Sequence, residues 1–474
     1  MRILRQTIIL LVLVLASAAH AQRNEIHILS TNDMHASMDY FPQLAALADS
    51  LRDIDPGLLI LSAGDNRTGN PLNDLFEIPA YPMVALMNQV GFAATALGNH
   101  EFDVASLPRL IPLSNFSYIC ANIVPDYTSG IRTVPCKVFD VRGTKVGIVG
   151  VVQVNKWGRP DTHPDNVQGL KFLDPTETVR RFEWLSRECD VTILLSHIGY
   201  EADVQMAENF PWLDLIVGGH THKQLTSSEP LHNGVLITQN KNKLPTATYT
   251  TLIIDSGKVV SKRAEYFDLK TYPSRNIVVE HMVKAFKQNP AFSRVLAVAD
   301  KSFDNINELG AMVCDAFLHG TGADIAIENR RGVRLEYLPA GNITVLNALA
   351  IDPFGNQAVE MTMTGEQLYQ MLTAYSRMDV SHFPHLGGLL AEVKLDKADS
   401  TVIQSFKLMT PDGKPLEKKR KYRIVTNTYV SSTCTVISPD DMNVLNAQTS
   451  DLIMQFLEQK GHVDYNGVKR VWFK

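Results

Sequence analysis

Short apolar runs alternate with helical patterns along the first half of the chain. The runs are IHILS (26–30), LLILSAG (58–64), GFAATA (91–96), KVGIVGVV (145–152), VTILLS (191–196) and LDLIVGG (213–219). Their length and composition predict buried β-strands. Between them lie amphipathic stretches. In PQLAALADSLRDI (42–54), Leu44, Leu47, Leu51 and Ile54 recur at helical spacing. The segment 174–189 opens with Asp174 at an N-cap, Pro175 at the first helical position and Glu177 completing a capping box, which predicts one helix. Such alternation implies a layered α/β domain.

The pattern changes after about residue 265. NIVVEHMVKAFKQNP (276–290) reads as a helix stopped by Pro290, and helical NELGAMVCDAFLHG (307–320) precedes mixed strands, helices and polar loops. The expected organisation is an export segment over 1–21, a first α/β domain over 22–268, a linker helix over 269–290 and a second α/β domain over 291–474. The chain of 474 residues is long enough for both cores.

Residues 1–21 carry Arg2 and Arg5, then TIILLVLVLA, then Ala19-His20-Ala21. This is the pattern of a secretory signal cleaved before Gln22, and the run is short for a bilayer span. The mature chain would be exported to the periplasm or the cell exterior, with no membrane anchor left. Its loss takes the formal net charge from −5 to −7. No basic stripe with interleaved aromatics points to a nucleic-acid duplex. The five cysteines form no zinc spacing; Cys120 and Cys136 are a candidate pair, buried free thiols the alternative.

The chemistry lies where the apolar runs end. Asp33 and His35 follow the first, Asp65 the second, Asn99 and His100 the third, His197 the fifth, and His220 and His222 the sixth. Open α/β sheets gather ligand sites at the carboxyl ends of their strands. Asp33/His35 and His220/His222 are i, i+2 pairs, which in extended backbone face one side. Glycines 64, 98, 218 and 219 allow close backbone approach beside them. Asp33, His35, Asp65, Asn99, His197, His220 and His222 form an oxygen/nitrogen set without thiolate, suited to Zn²⁺, Mn²⁺, Fe²⁺ or Co²⁺. Seven ligands suffice for two ions sharing a carboxylate, with Asp65 the natural bridge. Two ions roughly 3.5–4 Å apart clamp both oxygens of an in-line phosphoryl displacement and acidify a bound water into a hydroxide nucleophile. His100 would project towards substrate as a proton donor, and Asp103 would accept its other N–H. Glu101 has no evident role.

TNDMH (31–35), AGD (63–65), GNHEFD (98–103), SHIG (196–199) and GGHTH (218–222) resemble, in order, the motifs of the 5′-nucleotidase family. The resemblance implies an N-terminal layered α/β/β/α calcineurin-like metallophosphoesterase domain and a second α/β substrate-binding domain. It implies one ion on Asp33, His35, Asp65 and His222, and another on Asp65, Asn99, His197 and His220. Ala36 departs from the usual Gly. GADIAIENRRGVR (322–334), PAGNIT (339–344), DPFGN (352–356) and MTGEQL (363–368) resemble the family's nucleotide-binding domain. Arg334 matches its substrate arginine, Arg330 would add a second fork, Asn356 lies in a matched motif, and Phe383 in HFPHLGGL matches a ring that stacks on the base. The second stacking ring has no counterpart in SSTCTVIS (431–438), although Tyr429 lies nearby. The implied reaction is hydrolysis of nucleoside 5′-monophosphates. The altered loop keeps open 2′,3′-cyclic nucleotides, nucleotide-sugars and other esters such as thiosulfonates, and a non-catalytic metal-containing binding protein is the remaining alternative. Closure about the 276–288 helix would bring the two half-sites together.

Overall fold

The computed structural model describes residues 24–474 apart from 75, 104–105, 126–128, 228–229 and 289. The expected export segment lies outside the described residues. Among those residues no helix is long and apolar enough to cross a membrane. Two compact units are present: Met1–Thr68 with Leu75–Lys287, and Gly69–Asp74 with Gln288–Lys474.

The first unit is built on two sheets. In the six-stranded sheet, Asn24–Thr31, Leu59–Ser62, Ala94–Ala96 and Ser117–Ile119 run parallel in that spatial order, and Thr246–Asp255 and Lys258–Asp268 add antiparallel strands beside Asn24–Thr31. In the five-stranded sheet, Thr144–Val152, Val191–His197, Leu215–Gly218 and Leu236–Thr238 are parallel, and Cys136–Val141 closes one edge antiparallel. Ile26, Ile28, Leu61 and Ala94 from one sheet join Val146, Ile148, Ile193, Leu195 and Val217 from the other in a single buried cluster. The sheets therefore pack face to face. Because side chains alternate along a strand, the other faces are apolar too. Val149, Leu194 and Ile216 pack with Val179, Leu185, Met206 and Phe210 of the outer helices. Leu29 and Ile60 are wholly buried on the far side, where helices Phe41–Ile54, Tyr81–Val90 and Ile277–Lys287 pack on one another. The helix expected as a linker thus lies on helices of the first unit.

One local expectation needs correction. Asp174 does cap, accepting from the Glu177 amide at 2.9 Å. The helix nevertheless stops at Arg180, and a separate turn spans Leu185–Glu188. Glu177 lies 3.6 Å from Arg180.

The second unit has a mixed five-stranded sheet in the order His385–Gly387, Ile325–Glu328, Lys421–Asn427, Gln357–Thr364, Met442–Gln448, flanked by two three-stranded sheets. Helix Ile306–Thr321 starts at Asn305, whose side chain accepts from the Asn307 and Glu308 amides, and ends at Gly322 in left-handed conformation. Reciprocal capping boxes start the helices after Thr344 and Thr364. Cores on both faces of the sheet complete the unit. All five cysteines are free thiols.

Candidate active site

The loops leaving five parallel strands bring the predicted polar residues of the first unit together. His35 Nε2 lies 3.1 Å from His222 Nε2, and His222 Nε2 lies 3.3 Å from Asp33 Oδ1. His197 Nε2 is 3.1 Å from Asp65 Oδ2, and His220 Nδ1 is 3.0 Å from Asn99 Oδ1. Three sets, Asp33/His35/His222, His35/Asp65/His100 and Asp33/Asp65/His197, each hold their donor atoms within 4.8 Å of one another. Asp33, His35 and Asp65 each belong to two sets, so the donors form one continuous patch.

The backbone reaches this arrangement by a route the spacing did not indicate. Asp33 (φ 48°), His35 (46°), Asp65 (52°), His220 (75°) and His222 (58°) are all left-handed, not extended. Such conformations cost non-glycine residues of the order of 1–3 kcal/mol each and cluster at functional sites. Here a ladder fixes them: the Asp33, His35 and Ala36 amides donate to the Gly64, Asp65 and Asn66 carbonyls, each at 2.9 Å. Ala36 is itself left-handed at φ 55°. Glycine is needed where the loops touch. A Cβ on Gly98 would lie 2.1 Å from Asp65 Oδ1, and one on Gly219 2.9 Å from His197 Nδ1.

Glu101, left without a role by sequence reasoning, is the anchor beneath two of these loops. Its buried carboxylate accepts from the Asp65 (2.9 Å), Asn66 (2.8 Å) and Gly98 (2.6 Å) amides, and from Asn66 Nδ2 at 3.2 Å. Burial and the neighbouring Asp65 push its carboxyl pKa up. The signal was available: a carboxylate two residues past a ligand, beside glycine, has backbone amides within reach.

Two buried carboxylates in one pocket demand positive charge. Burial opposes ionisation of Asp65, but His197 and His100 hold its carboxyl well below the usual range. Burial also works against protonated His197, yet Asp65 and Asp33 lift it to about 10. Burial and then the charge of His197 depress His220 to about 4, leaving a neutral imidazole with a lone pair to give. His197 Nε2 is fully buried without a hydrogen-bond partner, aimed between carboxylates. A divalent cation satisfies that demand, and the mixed oxygen/imidazole donors fit one of intermediate softness.

His100 Nδ1 lies 2.6 Å from Asp103 Oδ2. Asp103 Oδ1 accepts from Thr162 at 3.0 Å, and His100 Nε2 is 4.0 Å from Asp65 Oδ2. The dyad therefore presents Nε2 at the edge of the donor patch.

In the second unit, Arg330 donates to Asn307 Oδ1 at 3.1 Å from a turn that follows strand Ile325–Glu328. The Arg334 amide donates to the Ile351 carbonyl at 2.9 Å, and its guanidinium lies 5.7 Å from the centre of the Phe354 ring. Asn356 Oδ1 accepts from Thr428 at 3.0 Å. Phe383 must be reassigned. It is wholly buried, set edge-on against Phe406 and Phe473 in the core, and so has no face for a base. The partly exposed ring beside the arginine is Phe354, within the matched DPFGN motif.

The calcineurin-like phosphoesterase family model matches residues 26–224, and the model of the 5′-nucleotidase C-terminal domain matches 286–438. A Vibrio cholerae protein named 5′-nucleotidase is 26% identical over 488 residues, covering 85% of this chain and 84% of that protein. A Yersinia enterocolitica protein named UshA is 28% identical over 481 residues with the same coverage. The crystal structure of a 5′-nucleotidase precursor from Thermus thermophilus superposes with a TM-score of 0.82 at 22% identity, covering 95% of this chain and 99% of that one, and so shares its fold. The chain belongs to the 5′-nucleotidase family, whose members are metal-dependent phosphomonoester hydrolases.

Proposed function

We propose that the protein is an exported phosphohydrolase with two divalent ions, acting on nucleoside 5′-monophosphates to give nucleoside and phosphate. The observation that carries this is the convergence of Asp33, His35, Asp65, Asn99, His197, His220 and His222 beside the His100–Asp103 pair. Metal binding alone has no use for that pair. Asp33, His35, Asp65 and His222 would hold one ion, and Asp65, Asn99, His197 and His220 the other; zinc, manganese, cobalt and iron suit the set. Bound there, the ions supply positive charge that acidifies a water and neutralises phosphoryl oxygens.

The chain's own residues do the rest. Asp103 accepts the Nδ1 proton of His100 and so keeps the transferable proton on Nε2. As the water oxygen bonds to phosphorus, the ester P–O bond breaks and Nε2 delivers its proton to the departing oxygen, while the proton lost by the water passes to solvent, from which His100 is reprotonated. Arg330 and Arg334 offer planar donors that suit phosphate, and Phe354, beside Arg334, takes the stacking role expected of Phe383. Export rests on the residue pattern of 1–21.

The burial of Phe383 and the lack of a phenylalanine in 431–438 favour a second reading of the substrate on the same chemistry: cyclic nucleotides, nucleotide-sugars or another ester. The test is phosphate release by metal-stripped protein reloaded with Mn²⁺, Zn²⁺ or Co²⁺, with AMP, a 2′,3′-cyclic nucleotide, a UDP-sugar and phenyl phosphate. A metal-dependent preference for AMP supports the reading. Equal turnover of phenyl phosphate removes the nucleotide assignment, and no release with any metal removes the enzyme. His100→Ala should retain bound metal while losing about 10²–10⁴-fold in turnover; unchanged turnover refutes the proton-donor role.

A further inference from the structure

Beneath the turn that carries Arg330 and Arg334 lies a carboxyl group that the metal patch does not use. Glu328 ends strand Ile325–Glu328 and is 2% exposed. Strand Lys421–Asn427 runs parallel beside it, which sets Asn427 at the same end of the sheet. Asn427 Nδ2 donates to both carboxyl oxygens, at 3.0 Å to Oε1 and 2.9 Å to Oε2. The Asn427 side chain cannot turn away, because its Oδ1 accepts from the Val430 amide at 2.8 Å and so caps helix Thr428–Ser432. Glu328 is therefore held from the side by a neighbour that is itself fixed.

The turn rests on this carboxyl. The Asn329 side-chain amide lies 2.9 Å from Glu328 Oε1 and 2.8 Å from the Gly332 nitrogen, bridging the two. Gly332 takes no left-handed conformation, so its lack of a side chain serves a contact and not its own φ. A Cβ there would lie 1.9 Å from Glu328 Oε1. Beyond it, Val333 is buried and the Arg334 amide is tied to the Ile351 carbonyl at 2.9 Å. The backbone from which Arg330 and Arg334 depart is thus fixed by Glu328 at one end and by Ile351 at the other.

The support carries no charge of its own. Burial, and then the charge of Asp352, push the Glu328 carboxyl well above its ordinary value, so it braces the turn in its neutral form. His385, its partner on the adjoining antiparallel strand, is buried as well, and burial and then the charge of Arg330 hold it at about 3, also neutral. Arg330 donates to the uncharged Asn307 carboxamide and forms no ion pair among the described residues. An ionised glutamate here would compete with phosphate for the guanidinium. We propose that Glu328 is a positioning residue for substrate binding. Through Asn329 and Gly332 it sets where Arg330 and Arg334 stand, and so how tightly a phosphate ester is held, with no part in the bond-breaking step. The assignment rests on the reading above that these arginines take the phosphate.

Kinetics with AMP on the metal-loaded protein test this. Gly332→Ala drives a methyl group into Oε1 and should raise KM about tenfold while kcat stays within about twofold, since only binding shared by ground and transition states is lost. Glu328→Gln keeps the shape and the neutral state and should leave KM within about twofold of wild type. Glu328→Ala should raise KM as Gly332→Ala does. Adding Gly332→Ala to it should cost little more, because the oxygen the methyl struck is gone. An unchanged KM in Gly332→Ala, a full second penalty in the double variant, or a fall in kcat as large as the rise in KM overturns the inference. Should Glu328→Ala fail to fold, Gly332→Ala and Glu328→Gln decide it. Arg330→Ala and Arg334→Ala separate the two readings. No rise in KM from either removes the phosphate role of the arginines, and the positioning role with it; a rise there with none in Gly332→Ala removes the positioning role alone. If the wild type releases no phosphate, the calorimetric affinity of chelator-treated protein for AMP takes the place of KM, with the same order expected and the same outcomes overturning it.

Discussion

At the scale of single residues, the site depends on backbone that most side chains avoid. Ala36 sits at φ 55° with its amide committed to Asn66. Replacing it with glycine relieves a left-handed penalty at some cost in chain entropy, so Ala36→Gly should raise stability by up to about 1 kcal/mol in chemical denaturation. Glu101 acts oppositely. Glu101→Gln keeps the shape but turns an N–H towards amides that need an acceptor. It should cost about 1–3 kcal/mol and weaken metal affinity roughly 10–100-fold, read by competition with a chelator. The clustering of the donor residues was legible because aspartate, asparagine and histidine recurred after apolar runs. Their conformations were not, because a spacing of two says nothing about the sign of φ. Phe383 shows the same limit: a motif names a ring, but whether its face is open depends on Phe406 and Phe473, which arrive from distant strands.

At the scale of elements, the strands of the first unit were legible because both faces are buried, which turns each into an uninterrupted apolar run. The helix expected over 174–189 was overestimated, since a good N-cap fixes where a helix starts and not how far it runs. In the second unit, the segment after helix Val345–Ile351 carries a testable charge. Burial pushes the carboxyl of Asp352 up to about 6, against hydrogen bonds from Thr449 and the Phe354 amide, and Glu328, also buried, is raised well above its ordinary value. A pKa higher in the folded than in the unfolded chain means the folded state holds its proton longer. Stability from Asp352 is thus full below pH 3.8 and lost as the pH rises towards 6. The expected loss is on the order of 1–3 kcal/mol. Asp352→Asn should flatten that slope in pH-dependent melts, and an unchanged slope would show the carboxyl is not protonated when folded.

At the scale of the whole molecule, the first unit closes its donor patch with residues drawn from strands of both sheets. An ion bound only by the folded chain adds stability through mass action, about 4 kcal/mol when it is present at 1,000 times its dissociation constant. Chelation should therefore lower the melting temperature of the metal-loaded protein, and Asp65→Asn should shrink that difference; equal melting with and without chelator would mean the patch holds no ion. Strand-helix alternation made the layered architecture legible from the sequence, while the pairing of two sheets was carried by the family motifs.

The contact between His35 and His222 spans 187 positions of sequence. During synthesis at about 5–20 residues per second, some ten seconds or more separate the appearance of one imidazole from that of the other. Until then the early ligands have no complete cage, so an ion could not template the beginning of the chain. If the chain is exported as proposed, any ion it acquires would be set by the metal supply of the compartment in which it folds, not of the one in which it is made.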